Sequence, residues 1–599
     1  MKIKVAKYIA DFFAGKGVKF VFTVTGGGAM HLNDAFGHHE TLQCIYNHHE
    51  QASAMAAESY TVLTGEPSLV CVTSGPGGTN ALTGVLGGWL DSVPMIIVSG
   101  QVKTETTTWI TDVPLRQLGD QEYNIVDSVR PMTKYAVMIT DPTEIAYHLE
   151  KAFYFAFTGR GGPVWLDIPL NIQGAIVETD ALKHFHEDEC RDALPQSISQ
   201  ETAQRVLDKI AAAKRPVILA GSGIRLGHAH DEFMKVIEKL QIPVVTAWNA
   251  HDTLWNDHRL FCGRPGTVGT RGGNFVVENS DLVLTLGCRL NIRQISYNYK
   301  DWAKNAYKII NDIDPNELKK PTIQPDMPVC GDVKELLSKM LTGDYMPEAD
   351  HQDWLKKCKA TDARYPAVCQ SYYENQSPLN PYVFVDGIFQ HLKGDDAVIC
   401  GNGSACVVGF QAANIKKGQR LFTNSGCASM GYGFPAALGC SFARPGKRTI
   451  CFDGDGSIMM NLQELQTAAH HKAEIKTFLF NNTGYHSCRQ TQMNLFKPPL
   501  VGATPDSGVS FPNFEKIAAA FGIGYVCVEN LNELDEKIEM ALSMEGPVIC
   551  EGILDPTQFF EPKLSSKVLP DGKIVSPPID DMYPFLCREE YLSNKCDCE

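Results

Sequence analysis

The chain has 599 residues, more than a single hydrophobic core supports, so several domains are expected. Apolar residues make up 44% of it and charged residues 21%, with 51 glycines, which is typical of an α/β enzyme. Its 54 basic and 69 acidic side chains leave a net charge of −15 without a basic run, which argues against nucleic acid or an anionic membrane as a partner.

No targeting or membrane segment is predicted. The amino-terminal stretch is amphipathic and contains acidic residues, unlike a signal peptide, and no apolar run approaches the length of roughly 18 residues that spans a bilayer. The 19 cysteines are scattered, often inside apolar strands, and form no CxxC pair. We therefore expect reduced, buried cysteines in a cytoplasmic protein, with a cysteine metal site as the alternative.

Short apolar strands alternate with helical segments along most of the chain, which predicts an α/β fold of three tandem doubly wound parallel-sheet domains. There are no short-period repeats or low-complexity tracts. In chain order we expect a first domain at 1–180, a central domain at 190–344, a helical connector at 345–378, a third domain at 379–556, and a tail of weak pattern at 557–599.

In the third domain, two predicted strands each end in polar residues. The first delivers Gly454-Asp455-Gly456, and the second ends at Asn482, 27 positions after Asp455. Parallel strands end at one edge of a sheet, so the carboxylate and the amide are expected side by side, as oxygen ligands suited to Mg²⁺. The glycines let backbone amides approach a diphosphate. The alternative is a tight turn followed by a polar strand end, but the pair of motifs at this spacing resembles the diphosphate motif of thiamine-diphosphate enzymes.

Glu50 lies where an apolar strand gives way to an alanine-rich helix, in NHHEQASAMAAESY. A carboxyl group in such a place, hydrogen-bonded to the aminopyrimidine of thiamine, favours the tautomer that activates the cofactor. The alternative is an acidic residue that stabilises the positive end of a helix dipole. Together with Asp455 and Asn482, the catalytic interpretation is favoured.

Across about residues 5–555, the chain resembles the acetolactate synthase branch of the thiamine-diphosphate enzymes. The resemblance rests on VFTVTGGGAMHLNDAF, NHHEQASAMAAESY, TSGPGGTN, LDSVPMIIVSGQV, GPVWLDIP, SGCASMGYGFPAALG, FDGDGSIMMNLQEL and FLFNN. It implies thiamine diphosphate and Mg²⁺ as cofactors and pyruvate or a related 2-oxo acid as a substrate. It also implies a homodimer or homotetramer, because in this family the catalytic glutamate and the diphosphate site come from different subunits.

The same resemblance assigns roles residue by residue. Glu50 would activate the cofactor, and Mg²⁺ would be held by Asp455, Asn482 and the carbonyl of Gly484. Met430 would be the apolar wedge that bends the cofactor. Gln101 and Gln121 complete the catalytic set. Further cofactor contacts are implied for Gly27, Gly28, Gly403, Ser404, Ala428, Gly454, Gly456 and Ser457.

Two histidines precede Glu50, but simple pyruvate decarboxylases carry their histidine pair later in the first domain, where this chain has Gln101. A neutral amide does not readily supply a proton, which favours a carboligase over a decarboxylase. His48 and His49 are therefore interpreted as structural.

The chain departs from the family around the acceptor. Leu170 stands in place of a lysine and Thr491 in place of a tryptophan, while the segment with Gln121 lacks a phenylalanine. These changes enlarge the acceptor pocket, and nearby donors suit a hydroxylated or phosphorylated acceptor such as a nucleotide-activated keto-sugar. The alternative is a polar surface loop. The predicted acceptor pocket comprises Leu170, Tyr485, His486, Cys488, Arg489 and Thr491, with Gln490 and Gln492 as further donors.

In the central domain, glycine-rich strand ends, arginines and acidic residues suit a nucleotide. By the resemblance this nucleotide is FAD, with ADP or an empty site as alternatives. The predicted residues are Gly221, Gly223, Arg289, Arg293 and Asp312.

The leading hypothesis is a carboligase that decarboxylates pyruvate and joins the remaining unit to a carbonyl acceptor. Three alternatives stay open: an acetolactate synthase that condenses two pyruvates, a non-oxidative 2-oxo acid decarboxylase, and a non-catalytic cofactor-binding subunit.

Overall fold

The computed structural model describes residues 1–347, 351–496, 498–568 and 573–596. Most of the described strands form three large sheets, and every pairing within these sheets is parallel. Helices lie between successive strands. This confirms the predicted α/β class with three doubly wound parallel-sheet domains.

The first sheet has the order β3-β2-β4-β5-β7-β6, and β1 pairs with β8 outside it. Its middle strands are largely apolar and buried along their whole length, as parallel strands covered by helices require. The strands are β1 (Lys2–Lys4), β2 (Phe20–Thr23), β3 (Gln43–Tyr46), β4 (Leu69–Val72), β5 (Met95–Gln101), β6 (Tyr135–Met138), β7 (Pro163–Pro169) and β8 (Ile176–Glu178). The helices are α1 (Val5–Gly15), α2 (Met30–Gly37), α3 (Glu50–Thr64), α4 (Pro76–Asp91), α5 (Ile125–Val129), α6 (Ile145–Phe157) and α7 (Leu170–Gly174).

The central sheet has the order β10-β9-β11-β12-β13. Its strands are β9 (Pro216–Ala220), β10 (Val244–Thr246), β11 (Leu282–Leu286), β12 (Tyr307–Asp312) and β13 (Met327–Cys330). Its helices are α8 (Gln200–Ala212), α9 (Gly223–Leu226), α10 (His230–Leu240), α11 (Arg271–Glu278), α12 (Ile292–Ile295), α13 (Val333–Thr342) and α14 (His351–Arg364). The last of these lies in the predicted connector, and its Trp354, Leu355 and Cys358 are buried in the core of the central domain.

The third sheet has the order β15-β14-β16-β17-β19-β18, the same connectivity as the first sheet. Its strands are β14 (Ala397–Cys400), β15 (Arg420–Phe422), β16 (Thr449–Gly454), β17 (Ile475–Asn481), β18 (Gly524–Val528) and β19 (Val548–Ile553). Its helices are α15 (Pro381–His391), α16 (Ser404–Ala412), α17 (Gly433–Ala443), α18 (Glu464–His471), α19 (His486–Leu495), α20 (Phe514–Phe521) and α21 (Leu534–Ser543). In β16 and β17, Gly454 lies beside Phe480, so the two motif-bearing strand ends are neighbours.

The tail packs back on the central domain. It contains a short hairpin, β20 (Lys567–Val568) with β21 (Ile574–Val575), and the helix α22 (Arg588–Ser593). Ile579 belongs to the central core, and the Arg271 guanidinium donates to the backbone of Met582 and Pro584. Residues 569–572 and 597–599 of the predicted tail, and 348–350 of the predicted connector, lie outside the described residues. The domain limits given above stay predictions.

The first and third domains meet along α3 and α17. Ser59 Oγ donates to the carbonyl of Ala436 at 2.8 Å. A Cβ on Gly439 would lie 2.0 Å from the carbonyl oxygen of Ala56, so this close approach of two helices requires glycine. The packing brings the amino end of α3, which carries Glu50, beside the segment after the Gly-Asp-Gly turn. Among the described helices, none is long and apolar enough to cross a membrane.

Candidate active site

Asp455 and Asn482 meet at the carboxyl ends of β16 and β17. The Asp455 carboxylate is buried, and it accepts hydrogen bonds from the backbone N–H of Gly456 at 2.7 Å and of Gly484 at 3.1 Å. Burial raises the pKa of Asp455 to about 7, since two amide donors compensate only part of the desolvation. Asn482 Nδ2 donates to Ser404 Oγ at 2.8 Å, while its Oδ1 is buried and has no hydrogen-bond partner among the described residues.

These two side chains fit a divalent cation. A buried acceptor without a partner costs roughly 1–3 kcal/mol. A buried carboxylate likewise needs a cation to be stable in its ionised form. Mg²⁺ takes oxygen ligands and retains water, so one carboxylate, one amide oxygen and one backbone carbonyl are sufficient protein ligands. The donor set therefore matches the predicted metal site.

Glycines leave an open space next to Asp455 and Asn482. Gly403 has φ of +85°, and a Cβ built on it or on Gly454 would meet no atom within 4 Å. Gly403 is the N-cap of α16, which begins at Ser404, and this cap residue makes no side-chain hydrogen bond to the described first turn. An open space at a helix amino end suits a diphosphate. There is no such open space at Gly456, because a Cβ there would lie 2.3 Å from the Tyr485 ring.

The loop carrying Ala428 and Met430 is joined to the turn Gly454-Asp455-Gly456 and the residue after it, which we call the metal turn after its predicted role. The backbone N–H of Gly431 donates to Ser457 Oγ at 3.0 Å. Ala428 adopts a left-handed backbone with φ of +51°, and Met430 is half-buried. A flexible thioether held beside the turn is suitable for packing against an aromatic ring.

In the first domain, Glu50 follows β3, while Gly27 and Gly28 follow β2, which lies next to β4 where the strand order reverses. Glu50 begins α3, is 8% exposed, and its Oε2 accepts from Asn80 Nδ2 at 3.0 Å. Gly27 is exposed, and the backbone N–H of Gly28 donates to Thr73 Oγ1 at 3.0 Å. A crevice at such a reversal is the usual ligand position in doubly wound sheets.

Gln101 ends β5 and Gln121 lies in the loop that follows it, so the two predicted glutamines have different surroundings. Gln101 is buried, and its amide donates to Asp167 Oδ2 at 3.1 Å and to the carbonyl of Tyr123 at 2.8 Å. Gln101 Oε1 accepts from the backbone of Val102. Gln121 is exposed in the following loop and has φ of +61°. The hydrogen-bonding groups of Gln101 are thus occupied within the domain.

Of the two histidines before Glu50, one caps a helix. His49 Nδ1 accepts from the backbone N–H of Gln51 at 3.1 Å, which caps α3, and the side chain of His48 is exposed. The helix cap supports the structural interpretation of His49.

Two of the predicted acceptor residues, His486 and Arg489, are buried. Arg489 is buried, and its guanidinium donates to the backbone carbonyls of Asn482 at 3.1 Å and Thr483 at 2.9 Å. His486 is packed against Phe560, and burial lowers its pKa to about 4.

The other members of the set differ in exposure. Gln490 is buried with its Oε1 near the backbone N–H of Phe560, and Gln492 pairs with the backbone of Val501. Cys488 and Thr491 are exposed, while Leu170 and Tyr485 are half-buried. Contact between this set and an acceptor stays a prediction.

A cavity of about 570 Å³ lies between the first and central domains, at the carboxyl ends of β9 and β11. Gly221, Gly223, Arg289 and Asp312 line it as expected for a nucleotide site, whereas Arg293 packs over the Trp248 ring. The glycines also serve close packing, since a Cβ on Gly221 would lie 2.2 Å from the carbonyl oxygen of Gly287.

The cavity also contains arginines that the motifs did not identify. Arg160, Arg225 and Arg420 line it alongside Arg289. Arg160 donates to Asp314 and to Glu317, each at 3.0 Å, so it joins the first domain to the central one. Arg160 could have been noticed in the sequence because it lies just before the motif GPVWLDIP. Three of these four arginines are paired with acidic side chains, since Arg225 and Arg420 both bond the Asp252 carboxylate.

Comparison with known proteins agrees with this geometry. Residues 3–125 match the family model for the thiamine pyrophosphate enzyme N-terminal TPP binding domain, 203–340 the central domain, and 401–551 the C-terminal TPP binding domain. The chain is 31% identical to the acetolactate synthase large subunit of Lactococcus lactis subsp. lactis over 563 residues, covering 93% of this chain and 94% of the relative. It is 32% identical to that of Corynebacterium glutamicum over 561 residues, covering 92% and 86%. It is 29% identical to the acetolactate synthase isozyme 3 large subunit of Escherichia coli over 554 residues, covering 90% and 92%.

The three parallel sheets and the matched domains define a thiamine-pyrophosphate-dependent enzyme. Within that class, the chain belongs to the acetolactate synthase-like family, as its near full-length similarity to those large subunits shows.

Proposed function

We propose that this enzyme uses Mg²⁺ and thiamine diphosphate to decarboxylate pyruvate, or a similar 2-oxo acid, and to join the remaining acyl unit to a carbonyl acceptor. The observation that carries the proposal is the pair of oxygen ligands at the third-domain strand ends. Asp455 is buried with a raised pKa, and the Oδ1 of Asn482 is buried with no hydrogen-bond partner in the part of the chain that the structure describes. Bound thiamine diphosphate supplies the electron sink on which a 2-oxo acid loses CO₂.

The residues of the chain hold and orient the reactants. Asp455, Asn482 and the Gly484 carbonyl would hold the metal, and the open space beside Gly403 would take the diphosphate. Glu50 would hydrogen-bond the aminopyrimidine, where its low exposure strengthens the interaction. In the net reaction CO₂ leaves, a carbon–carbon bond forms to the acceptor carbonyl, and that oxygen takes up a proton.

For the acceptor, we propose a nucleotide-activated keto-sugar. Leu170 and Thr491 are smaller or less polar than the lysine and tryptophan expected there, and Thr491 is exposed rather than filling a pocket. A second 2-oxo acid is the other candidate, because the relatives named above are acetolactate synthases.

Two further features belong to the same proposal. FAD would occupy the arginine-lined cavity at the end of β9. The assembly would be a homodimer or homotetramer that completes each site. Two segments support this assembly because they expose apolar side chains that a partner subunit would cover. The loop after β5 exposes Trp109, Ile110, Val113, Leu115 and Leu118. The segment after the metal turn exposes Met459 and Met460.

The test is carbon-13 NMR of products from labelled pyruvate, Mg²⁺ and thiamine diphosphate with a panel of aldehydes, keto acids and keto-sugar nucleotides. We expect the highest kcat/KM with a keto-sugar nucleotide and no product with the Glu50→Gln variant. Coupling to 2-keto acids alone would refute the sugar acceptor and leave acetolactate formation. Release of CO₂ without any coupled product would refute the carboligase. A visible absorption spectrum of the purified protein tests the flavin.

A further inference from the structure

We infer that Glu464 positions Glu50, and that it acts from the third domain across the interface with the first. Glu464 begins α18 and is fully buried. Its Oε2 accepts from Asn47 Nδ2 at 2.9 Å, and its Oε1 accepts from the backbone N–H of His48 at 2.9 Å. Asn47 and His48 lie in the turn between β3 and α3, three and two residues before Glu50.

A second contact holds the other side of Glu50. Asn461 Nδ2 donates to Gln51 Oε1 at 2.8 Å and to the carbonyl of Gly431 at 2.8 Å. Gln51 directly follows Glu50, and Gly431 follows the loop that carries Met430. The residues on both sides of Glu50 are therefore bonded to the segment that continues from the metal turn.

The chemistry of Glu464 fits positioning better than simple packing. A buried carboxylate is costly unless it is fully hydrogen-bonded. Glu464 is satisfied by Asn47, His48 and Thr467 Oγ1, the last at 2.8 Å, and hydrogen bonds to a carboxylate are shorter and roughly twice as strong as neutral ones. Asn47 is itself fixed, since its Oδ1 accepts from Ser53 Oγ at 3.1 Å. A charge placed here makes the turn rigid.

The consequence concerns the carboxyl group of Glu50. It is useful only while it keeps hydrogen-bonding geometry to the aminopyrimidine, and a misplacement of about 1 Å lowers a rate by roughly 100-fold. This inference rests on the proposed function, because it assumes that Glu50 acts on thiamine. Glu464 contacts neither cofactor nor substrate in this assignment, so its role is indirect.

The variant Glu464→Gln tests the inference in the full-length protein. Glutamine keeps the shape but places an NH₂ group against either Asn47 Nδ2 or the His48 N–H, so one donor loses its acceptor. Gln466→Ala is the matched control, because Gln466 is an exposed side chain on the same helix.

Two readouts separate positioning from general stability. In the free protein, hydrogen–deuterium exchange of the segment 43–53 is expected to be faster in Glu464→Gln, most of all at His48, and unchanged in Gln466→Ala. With saturating Mg²⁺ and thiamine diphosphate, exchange of the cofactor C2 proton is expected to slow by about 10- to 100-fold, with unchanged affinity for the cofactor. Unchanged C2 exchange would overturn the inference, even if the unfolding temperature or cofactor affinity fell.

A second variant covers the case in which Glu464→Gln fails to fold. Asn47→Ala removes a donor instead of the acceptor and is expected to slow C2 exchange in the same way. The double variant should be no slower than the slower single one, because both changes break one network; additive effects would contradict a shared network. If the unaltered protein shows no C2 exchange, the proposed function fails. If it exchanges and Glu464→Gln matches it, the inference alone fails.

Discussion

Replacing Asn482 by alanine is expected to weaken Mg²⁺-dependent cofactor binding while changing the stability of the free protein little. The hydrogen bond from Nδ2 to Ser404, 2.8 Å long, is lost, which removes about 1 kcal/mol. The buried Oδ1 that lacks a partner is lost with it, which returns roughly 1–3 kcal/mol. The two effects have opposite sign and similar size.

In the loaded protein the balance is different, because Oδ1 would then be bonded to the metal. Its removal forfeits the relief of that penalty, about 1–3 kcal/mol, which corresponds to a loss in affinity of roughly 5- to 160-fold. The assay is chemical unfolding followed by circular dichroism, with and without Mg²⁺ and thiamine diphosphate. Ligand at 100 times its Kd adds about 2.7 kcal/mol to the free energy of unfolding.

Asn481→Ala is the matched control from the adjacent position. Asn481 Nδ2 donates to Glu551 at 2.6 Å, and its Oδ1 accepts from the backbone N–H of Thr483 at 3.1 Å, so neither group is free for a metal. This variant is expected to lose stability without ligand and to keep the ligand-induced increase. The reasoning is refuted if Asn482→Ala keeps the full increase, or if Asn481→Ala loses it.

Three further expectations follow. Glu50→Gln should abolish product formation yet keep the ligand-induced increase in unfolding free energy; measurable turnover would contradict its role. Gly403→Ala should weaken thiamine diphosphate binding in calorimetry, whereas Gly446→Ala, also at positive φ and with no atom within 4 Å of a Cβ, should only destabilise by about 1–2 kcal/mol. Burial, with the Asp580 charge, raises the pKa of Glu278 from 4.5 to about 8. Between pH 4.5 and about pH 8 the folded protein therefore binds a proton at Glu278 that the unfolded chain has lost. The free energy of unfolding falls as the pH rises through this range. Glu278→Gln should flatten that fall, up to about 1.4 kcal/mol per pH unit, relative to the exposed control Glu536→Gln; equal slopes would contradict the assignment.

The sequence predicted the fold, and the proximity of Asp455 and Asn482, because both depend on local patterns. Continuous apolar strands separated by helices specify parallel sheets. Asp455 and Asn482 follow two strands that are neighbours in the sheet, so their proximity comes from one strand–helix–strand unit. The structure adds the partnerless Oδ1 of Asn482, which no pattern of residues reveals.

The contacts that position these groups could not be read from the chain. Glu464 and Asn47 are 417 residues apart, and their hydrogen bond exists only because α3 packs on α17. The direction in which a side chain points cannot be read from the sequence either. The sequence identifies Arg489 as a donor near the site, but only packing decides that it bonds backbone carbonyls. The identical connectivity of the first and third sheets is also hidden, because their sequences show no repeat.

The most direct test of the composite thiamine site is calorimetric titration of thiamine diphosphate into the purified full-length protein, with Mg²⁺ and then with EDTA. We expect saturable binding with Mg²⁺ and loss of binding with EDTA, because Asp455 and Asn482 would hold the diphosphate only when the metal is bound. No binding in the presence of Mg²⁺, or equal affinity in EDTA, would contradict that arrangement.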